Sequence, residues 1–196
     1  MSLNIKETKK ETNYTPAPEG SHVAILYSIV DMGTHTTVWQ GQEKNQQKVR
    51  LTFELPNELK EFDGESKPMV MGAEYTVSLA DLSKLKPIIE GLMGRKLTDA
   101  EKANFSQTDF EALLGKTCMI SVVHNESDGN TYANIATVSP LLKGVTVPAQ
   151  VNPNVIYDIA QKDDDTFKSL PEFMQKKIKL SQEWNRSFET DAVEAF

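Results

Sequence analysis

Five short runs with strand-like composition, and one helical stretch between the third and the fourth, constrain the fold of this chain most strongly. The runs cover residues 22–31, 48–55, 73–79, 116–124 and 131–139, and the helical stretch lies between Asp81 and Leu114. The second run alternates most clearly. Its apolar side carries Val49, Leu51, Phe53 and Leu55, and its polar side carries Lys48, Arg50, Thr52 and Glu54. We expect Pro56 to end this strand.

This order of elements is that of an OB-fold, a small Greek-key barrel whose outer face and loops bind oligonucleotides and oligosaccharides. The sequence therefore predicts an all-β domain with a helical insertion. It would be a five-stranded OB-like Greek-key barrel with helices between strands 3 and 4 and a C-terminal extension. The turn residues Asp128 and Gly129 predict that the fourth and fifth strands pair as a hairpin.

Inside the insertion, apolar residues recur at helical spacing and two capping boxes follow them. The spaced residues are Leu82, Leu85, Ile88, Ile89 and Leu92. The capping boxes start at Thr98 and at Thr108. We expect two or three short helices here, the last of which runs to Leu114 and ends at Gly115.

The composition predicts four segments along the chain. Polar residues with balanced charge predict a flexible N-terminal arm over residues 1–20. Residues 21–145 form the OB-fold domain. Residues 146–184 form an extension that packs on the barrel and ends in an amphipathic helix through Phe173, Ile178 and Leu180. Residues 185–196 form an acidic flexible tail.

Charge and cysteine content limit the function. The net charge of −7 argues against a protein that coats duplex DNA, although an acidic body can carry a local basic groove. The single Cys118 cannot form an intramolecular disulfide. No apolar run approaches about 18 residues, and no signal peptide is recognisable. We expect a reducing, cytoplasmic setting and no membrane partner.

The sequence contains no motif for catalysis or metal binding. Its three histidines, His22, His35 and His124, lie far apart, and one cysteine cannot complete a zinc knuckle. Phosphate-binding and dinucleotide-binding glycine motifs are missing. We therefore expect no enzyme activity, no cofactor and no metal. One enzyme alternative stays open: a nuclease that uses clustered acidic residues and Mg²⁺.

Residues 33–47 are predicted to form the loop between the first two strands, and this loop suggests a ligand. It carries His35, Trp39 and Lys44, and it leads to Lys48 and Arg50. Single-stranded nucleic acid is held by cations along the phosphates and by aromatic rings under the bases. This segment supplies both. Alternatively, Trp39 folds back onto the barrel and the basic residues are solvated surface charges.

Two further features fit the same ligand. Tyr132 alternates with Asn134 on the fifth strand, and its ring is expected to be exposed for stacking. The C-terminal tip carries acids and a terminal ring, Glu189, Asp191, Glu194 and Phe196. It resembles in kind the tip with which bacterial single-stranded DNA-binding proteins dock partner enzymes. The alternative is a solvated acidic tail without a partner.

Several short motifs resemble one known family. They are residues 113–118 (Leu-Leu-Gly-Lys-Thr-Cys), 132–135 (Tyr-Ala-Asn-Ile), 138–140 (Val-Ser-Pro) and 170–173 (Leu-Pro-Glu-Phe). Over roughly residues 20–180 the chain is similar to small phage- and prophage-encoded proteins taken to be OB-fold single-stranded DNA-binding proteins.

The resemblance implies a fold and a ligand class. The function would be non-catalytic, largely sequence-independent binding of single-stranded DNA during phage replication or recombination, in the cytoplasm of a bacterial host. Replication or recombination proteins are possible partners of the tail, and a homo-dimer is possible. The overall acidity favours the alternative: a protein-interaction or phage-assembly module that uses the barrel without nucleic acid.

Overall fold

The computed structural model describes residues 15–62, 64–161 and 163–186, without the side chains of Trp39 and Phe62. These residues form one six-stranded sheet with short helices. The strands are β1 (Gly20–Trp39), β2 (Gln42–Phe62), β3 (Glu65–Thr76), β4 (Thr117–Ser127), β5 (Asn130–Pro140) and β6 (Val155–Tyr157).

Three helices lie between β3 and β4, as the sequence predicts, and two follow β6. They are α1 (Leu85–Met93), α2 (Asp99–Ala103), α3 (Gln107–Glu111), α4 (Asp164–Ser169) and α5 (Glu172–Ile178). A 3-10 turn covers Ile159–Gln161, and residues 182–186 are helical. The prediction of a β-rich fold with a helical insertion is therefore confirmed.

The strands follow the order β3-β2-β1-β4-β5, and β6 adds to β1. All neighbours are antiparallel except β6, which runs parallel to β1. The predicted hairpin between β4 and β5 is confirmed, with Asp128 and Gly129 in its turn at φ 51° and 75°. The end strands β3 and β5 come within 8 Å of each other between Cα atoms. In the described residues no backbone ladder joins them, so the sheet is an open path whose two ends approach.

The first two strands are much longer than expected. The prediction of a loop over residues 33–47 is wrong, because β1 and β2 stay paired out to Trp39 and Gln42. The turn consists of Gln40 and Gly41, both at positive φ. The reason lies in the many threonines and in Val38 and Trp39, residue types that favour strands. Residues 33–48 thus form a paired arm, the β1–β2 ribbon.

Pro56 does not end the second strand, contrary to the sequence-based expectation. The pairing of β2 with β3 jumps from Leu55 to Leu59, and this irregularity accommodates the proline, after which β2 continues to Phe62.

The main core lies between the sheet and α1. The apolar side of β2 is buried there as predicted, together with residues of β1 and β4 and with Ile88 and Ile89 of α1. A second core forms on the other side of β1, where Val30 and Met32 pack against the C-terminal extension. Its further members are Tyr157, Ile159, Phe167, Leu170, Met174 and Ile178.

Several helix boundaries differ from the prediction. α1 begins only at Leu85, so Leu82 is fully exposed, and Pro87 lies in the first turn, where its missing N–H costs no helical bond. The capping box at Thr98 is present. The second box starts at Ser106, not Thr108, because the Asp109 carboxylate accepts the Ser106 N–H. The last insertion helix ends at Glu111, before Leu114.

The described end of the expected N-terminal arm is packed rather than free. Ala17 is 3% exposed and belongs to the main core. His124 Nε2 donates to the Ala17 carbonyl at 2.7 Å, and His22 Nε2 lies 2.8 Å from the Pro18 carbonyl oxygen. Residues 15–19 therefore belong to the folded body. The rest of the expected arm, residues 1–14, lies outside the described residues.

Candidate nucleic-acid interface

The polar side of β2 and the neighbouring side of β3 form one face, opposite the main core. Side chains on a strand alternate, so Lys44, Gln46, Lys48 and Arg50 all point to this side of β2. They span about 20 Å at roughly 3.4 Å per residue. On β3, Glu74 is the register partner of Arg50. We call this surface the outer face.

Arg50 lies flat across β3. Its Nη1 is 3.7 Å from the Glu74 carboxylate, and its Nη2 donates to the Gly72 carbonyl at 3.3 Å. A Cβ atom at position 72 would come within 2.6 Å of Nη2, so the glycine leaves the space that the guanidinium fills. The side chain is only 18% exposed, and its Nε finds no partner in the described residues. Burial lowers the pKa of Arg50, and Glu74 opposes that shift.

Helix α5 of the extension completes the face. The Phe173 ring lies over Arg50, with 5.0 Å between its centroid and the guanidinium carbon, yet this ring is 52% exposed. One turn further on, Lys177 Nζ donates to the Glu74 carboxylate. Phe173 and Lys177 share a side of the helix because they are four residues apart.

The outer face therefore carries excess positive charge on a protein that is acidic as a whole. Lys48, Arg50 and Lys177 surround the Glu74 carboxylate, so this cluster of four side chains has a net charge of +2. The buried Glu54 carboxylate lies further along the same side of β2. Lys48 Nζ donates to Gln46 and Thr76 at 2.7 and 2.8 Å. Burial, followed by the neighbouring Lys177 ammonium, lowers the pKa of Lys48.

Exposed apolar side chains flank the cations. Val70 of β3 is the register partner of Glu54 and is half exposed, and Val151 is exposed beside the same carboxylate. Together with Phe173 they give the outer face an apolar part. A groove of about 560 Å³ continues the surface from Lys48 and Glu74. It is also lined by Gln46, Thr76, Leu82 and Lys84.

The buried carboxylate of Glu54 holds the segment around Val151 and Asn152 against this face. Glu54 is fully buried and accepts the backbone N–H groups of Val151 and Asn152 at 2.9 and 2.7 Å. A buried carboxylate needs such donors, because an ionised group is costly to remove from water unless it is hydrogen-bonded. Glu54 thus fixes the segment that carries Val151.

The end of the extension also holds the β1–β2 ribbon. Glu183 accepts from the Thr34 N–H at 2.7 Å and from its hydroxyl at 2.5 Å. Gln182 donates to Asn45 at 2.8 Å. At the base of the ribbon Gly33 packs so closely on Ser181 that a Cβ there would come within 2.4 Å. The extension therefore sets the direction of the ribbon relative to the outer face.

The residues predicted to bind nucleic acid lie in three places. Lys48 and Arg50 are in the outer face, and Lys44 is exposed further along the same side of β2. His35 lies on the ribbon with Nε2 donating to the Met32 carbonyl at 2.8 Å. Tyr132 is half exposed on the β4–β5 hairpin, opposite Asn125.

For two groups of predicted residues the structure describes no side chains. Trp39 lies at the end of β1, and its side chain is outside the description. The tail residues Glu189, Asp191, Glu194 and Phe196 also lie outside the described residues.

The sequence analysis missed two residues of the outer face. Phe173, Ile178 and Leu180 were predicted to form the apolar side of this helix. Ile178 is buried as predicted, together with Met174, but Phe173 and Leu180 are exposed. Lys177 was not predicted to be a binding residue. The available signal was the spacing of four residues from Phe173 to Lys177, which places an aromatic ring and a cation together.

Within the described ranges, no group of three or more His, Cys, Asp or Glu side chains is placed to hold a metal ion. No helix in that part of the chain is both long and apolar enough to cross a membrane. Comparison with known proteins matched the chain to no family model and to no curated sequence.

Proposed function

We propose that this protein binds single-stranded DNA without catalysis and largely without sequence preference, and that it acts in phage or prophage DNA replication or recombination. The observation that carries the proposal is the half-exposed Phe173 ring over Arg50, beside the Glu74 carboxylate that three cations surround. Aromatic rings and a basic track are the two components of non-specific single-strand binding.

The proposed mechanism assigns one task to each part of the face. A base stacks on the open side of Phe173, while Arg50 lies against its other side. Stacking on an aromatic ring contributes about 1–3 kcal/mol per base and accepts every base, since each has a π-face. Lys48 and Lys177 neutralise the phosphates, and Lys44 extends the track along the ribbon. Trp39, His35 and Tyr132 stay proposed as additional contacts.

The strand order supports an OB-like barrel as the scaffold. The path β3-β2-β1-β4-β5 has its end strands within 8 Å of each other, and closing this path gives a five-stranded barrel. OB-folds bind oligonucleotides on the side of strands 2 and 3. We propose that the outer face, on β2 and β3, is that surface and that α5 enlarges it.

The test is a titration of fluorescein-labelled oligo-dT with the full chain at several salt concentrations. Fluorescence anisotropy measures the binding. The proposal predicts saturable binding that weakens steeply with salt, because bound cations release counterions from the phosphates. A duplex of equal length should bind much more weakly, since its bases are not available for stacking. No anisotropy change and no gel shift at low salt would contradict the proposal.

One observation favours a second candidate function, a protein-interaction or phage-assembly module. Val70, Val151 and Phe173 are all exposed on this side of the sheet, and exposed apolar groups on a monomer often mark protein contacts. In that case the same titration shows no DNA binding. The acidic tip from Glu189 to Phe196 stays proposed as a docking site for replication or recombination proteins, and a homo-dimer as a possible assembly.

A further inference from the structure

A cleft separate from the outer face lies between the sheet, the helical insertion and β6. Its volume is about 200 Å³. This is several times the roughly 30 Å³ of a water molecule, but less than the about 300–1,000 Å³ of pockets that enclose a whole small ligand. The space therefore suits one side chain better than a cofactor.

The floor of the cleft is apolar and its rim is acidic. Ile29, Val49, Phe105 and Phe110 form the floor, and the last two rings meet edge to face at 5.0 Å. The rim carries Asp31 and Asp158. We call this site the aspartate cleft.

Both rim carboxylates are fixed by hydrogen bonds. Asp31 accepts from the Gly33 N–H at 2.8 Å and from Gln47 Nε2 at 3.3 Å. Asp158 accepts from the Ala160 N–H at 2.9 Å. Burial raises the pKa of Asp31, and the Asp158 and Glu183 carboxylates raise it further. The hydrogen bonds from Gly33 and Gln47 lower it, but the net shift is upward. An added cation would relieve this mutual repulsion.

A buried tyrosine lies close to the two rim carboxylates. Tyr157 lines the cleft and is 3% exposed. Burial raises its pKa to about 12, and Asp31, Asp164 and Asp158 add to this. The site thus combines an apolar floor with two neighbouring carboxylates at its rim.

We propose that the aspartate cleft receives a lysine or arginine side chain from a partner protein. The aliphatic stem lies on the apolar floor, and the charged head reaches Asp31 and Asp158. Long cationic side chains bury their stems on apolar surface in this way while the head stays at the polar rim, and charge-assisted hydrogen bonds orient the head. A protein segment fits better than DNA, since the rim repels phosphates.

The experiment uses the ¹⁵N-labelled full chain and two capped peptides, acetyl-Leu-Lys-Leu-amide and acetyl-Leu-Gln-Leu-amide. The lysine peptide should shift the amide resonances of Gln107, Ile156 and Asp158 in a saturable manner, and the glutamine peptide should bind at least about threefold more weakly. Equal shifts with both peptides, or no saturable shifts in the cleft, would overturn the proposal.

Variants locate the interaction. Asp158→Asn keeps an oxygen for the Ala160 N–H but removes the charge, and it should raise the Kd of the lysine peptide about three- to fivefold. Gln107→Lys places a competing cation at the rim and should have the same effect. Glu126→Gln, an exposed change on the β4–β5 hairpin, should leave the Kd unaltered. Unchanged affinity in both cleft variants would refute the assignment.

A small free cation is the competing occupant. If 1,4-diaminobutane binds the cleft as tightly as the lysine peptide, the site belongs to a small amine and the proposal of a protein partner fails. Oligo-dT binding should be the same in Asp158→Asn as in the unaltered chain, because the cleft and the outer face share no charged residue.

Discussion

The guanidinium of Arg50 lies 5.0 Å from the ring centroid of Phe173, and this contact joins a strand of the sheet to a helix of the C-terminal extension. Lys177 strengthens the junction by pairing with Glu74, the carboxylate that Arg50 also approaches. Helix α5 of the extension therefore contributes side chains to the outer face. The proposed DNA-binding surface depends on both parts of the chain.

Phe173→Ala should weaken oligo-dT binding without affecting the fold. The ring is half exposed, and the loss of one stacked base raises the Kd roughly 5- to 150-fold, equivalent to about 1–3 kcal/mol. Anisotropy titration measures the change. Leu180→Ala is the matched control, since this exposed apolar side chain follows the same helix outside the face. Equal effects of the two substitutions would show that Phe173 has no special role.

Gly72→Ala should displace the Arg50 side chain. The new methyl group would overlap Nη2 at 2.6 Å, and the flexible guanidinium would move out from under Phe173. Loss of the cation–π contact should lower the free energy of unfolding by about 0.5–1 kcal/mol. Urea denaturation measures this in the wild type and in an Arg50→Ala background. If alanine at position 72 costs the same in both backgrounds, its effect does not act through Arg50.

Glu54→Gln should loosen the segment that carries Val151. The neutral side chain offers one acceptor oxygen where the carboxylate now serves the N–H groups of both Val151 and Asn152. Hydrogen bonds to charged groups contribute about 1.5–3 kcal/mol, so the free energy of unfolding should fall by a similar amount. The exposed Glu61→Gln serves as the control. A Glu54→Gln variant as stable as this control would contradict the assigned role.

The buried Cys118 thiol should make the protein sensitive to alkali. Burial raises its pKa from 9.0 to about 12, so the thiol stays protonated in the folded state while the unfolded state ionises above pH 9. Its contribution to stability is complete below pH 9 and is lost as the pH rises toward 12.

This linkage amounts to about 1.4 kcal/mol between pH 8 and pH 10. Urea denaturation of the wild type and of Cys118→Ala over this range isolates the thiol from the tyrosines that titrate with it. The alanine variant should lose correspondingly less stability over the range. Identical losses in the two proteins would refute the prediction.

Local sequence patterns predicted which strands and helices form more reliably than they predicted where these begin and end. The alternation of Val49, Leu51, Phe53 and Leu55 identified the buried side of β2, and the Asp128-Gly129 turn identified a hairpin, because both depend on neighbours in sequence. The length of the β1–β2 ribbon did not follow from such rules. It is held by Glu183 and Gln182, which lie 149 and 137 residues along the chain from their partners Thr34 and Asn45.

Only part of the candidate site could be predicted from the sequence, because the rest depends on contacts between distant segments. Lys48 and Arg50 lie on one strand and could be found from alternation alone. Phe173 joins them only through tertiary packing, since the buried side of α5 is set by Met174 and Ile178. Amphipathic spacing on a helix of seven residues does not decide which neighbouring apolar residue is buried.

The salt dependence of oligo-dT binding in the double variant Lys48→Gln/Lys177→Gln tests the central claim most directly. The account predicts that the plot of log Kobs against log salt becomes shallower by about 1.4, since each lost phosphate contact on single-stranded DNA removes about 0.7. A Lys168→Gln/Lys176→Gln double variant, with the same charge change on exposed lysines of α4 and α5, should keep the wild-type slope. An unchanged slope in Lys48→Gln/Lys177→Gln, or no binding by the wild type at low salt, would contradict the account.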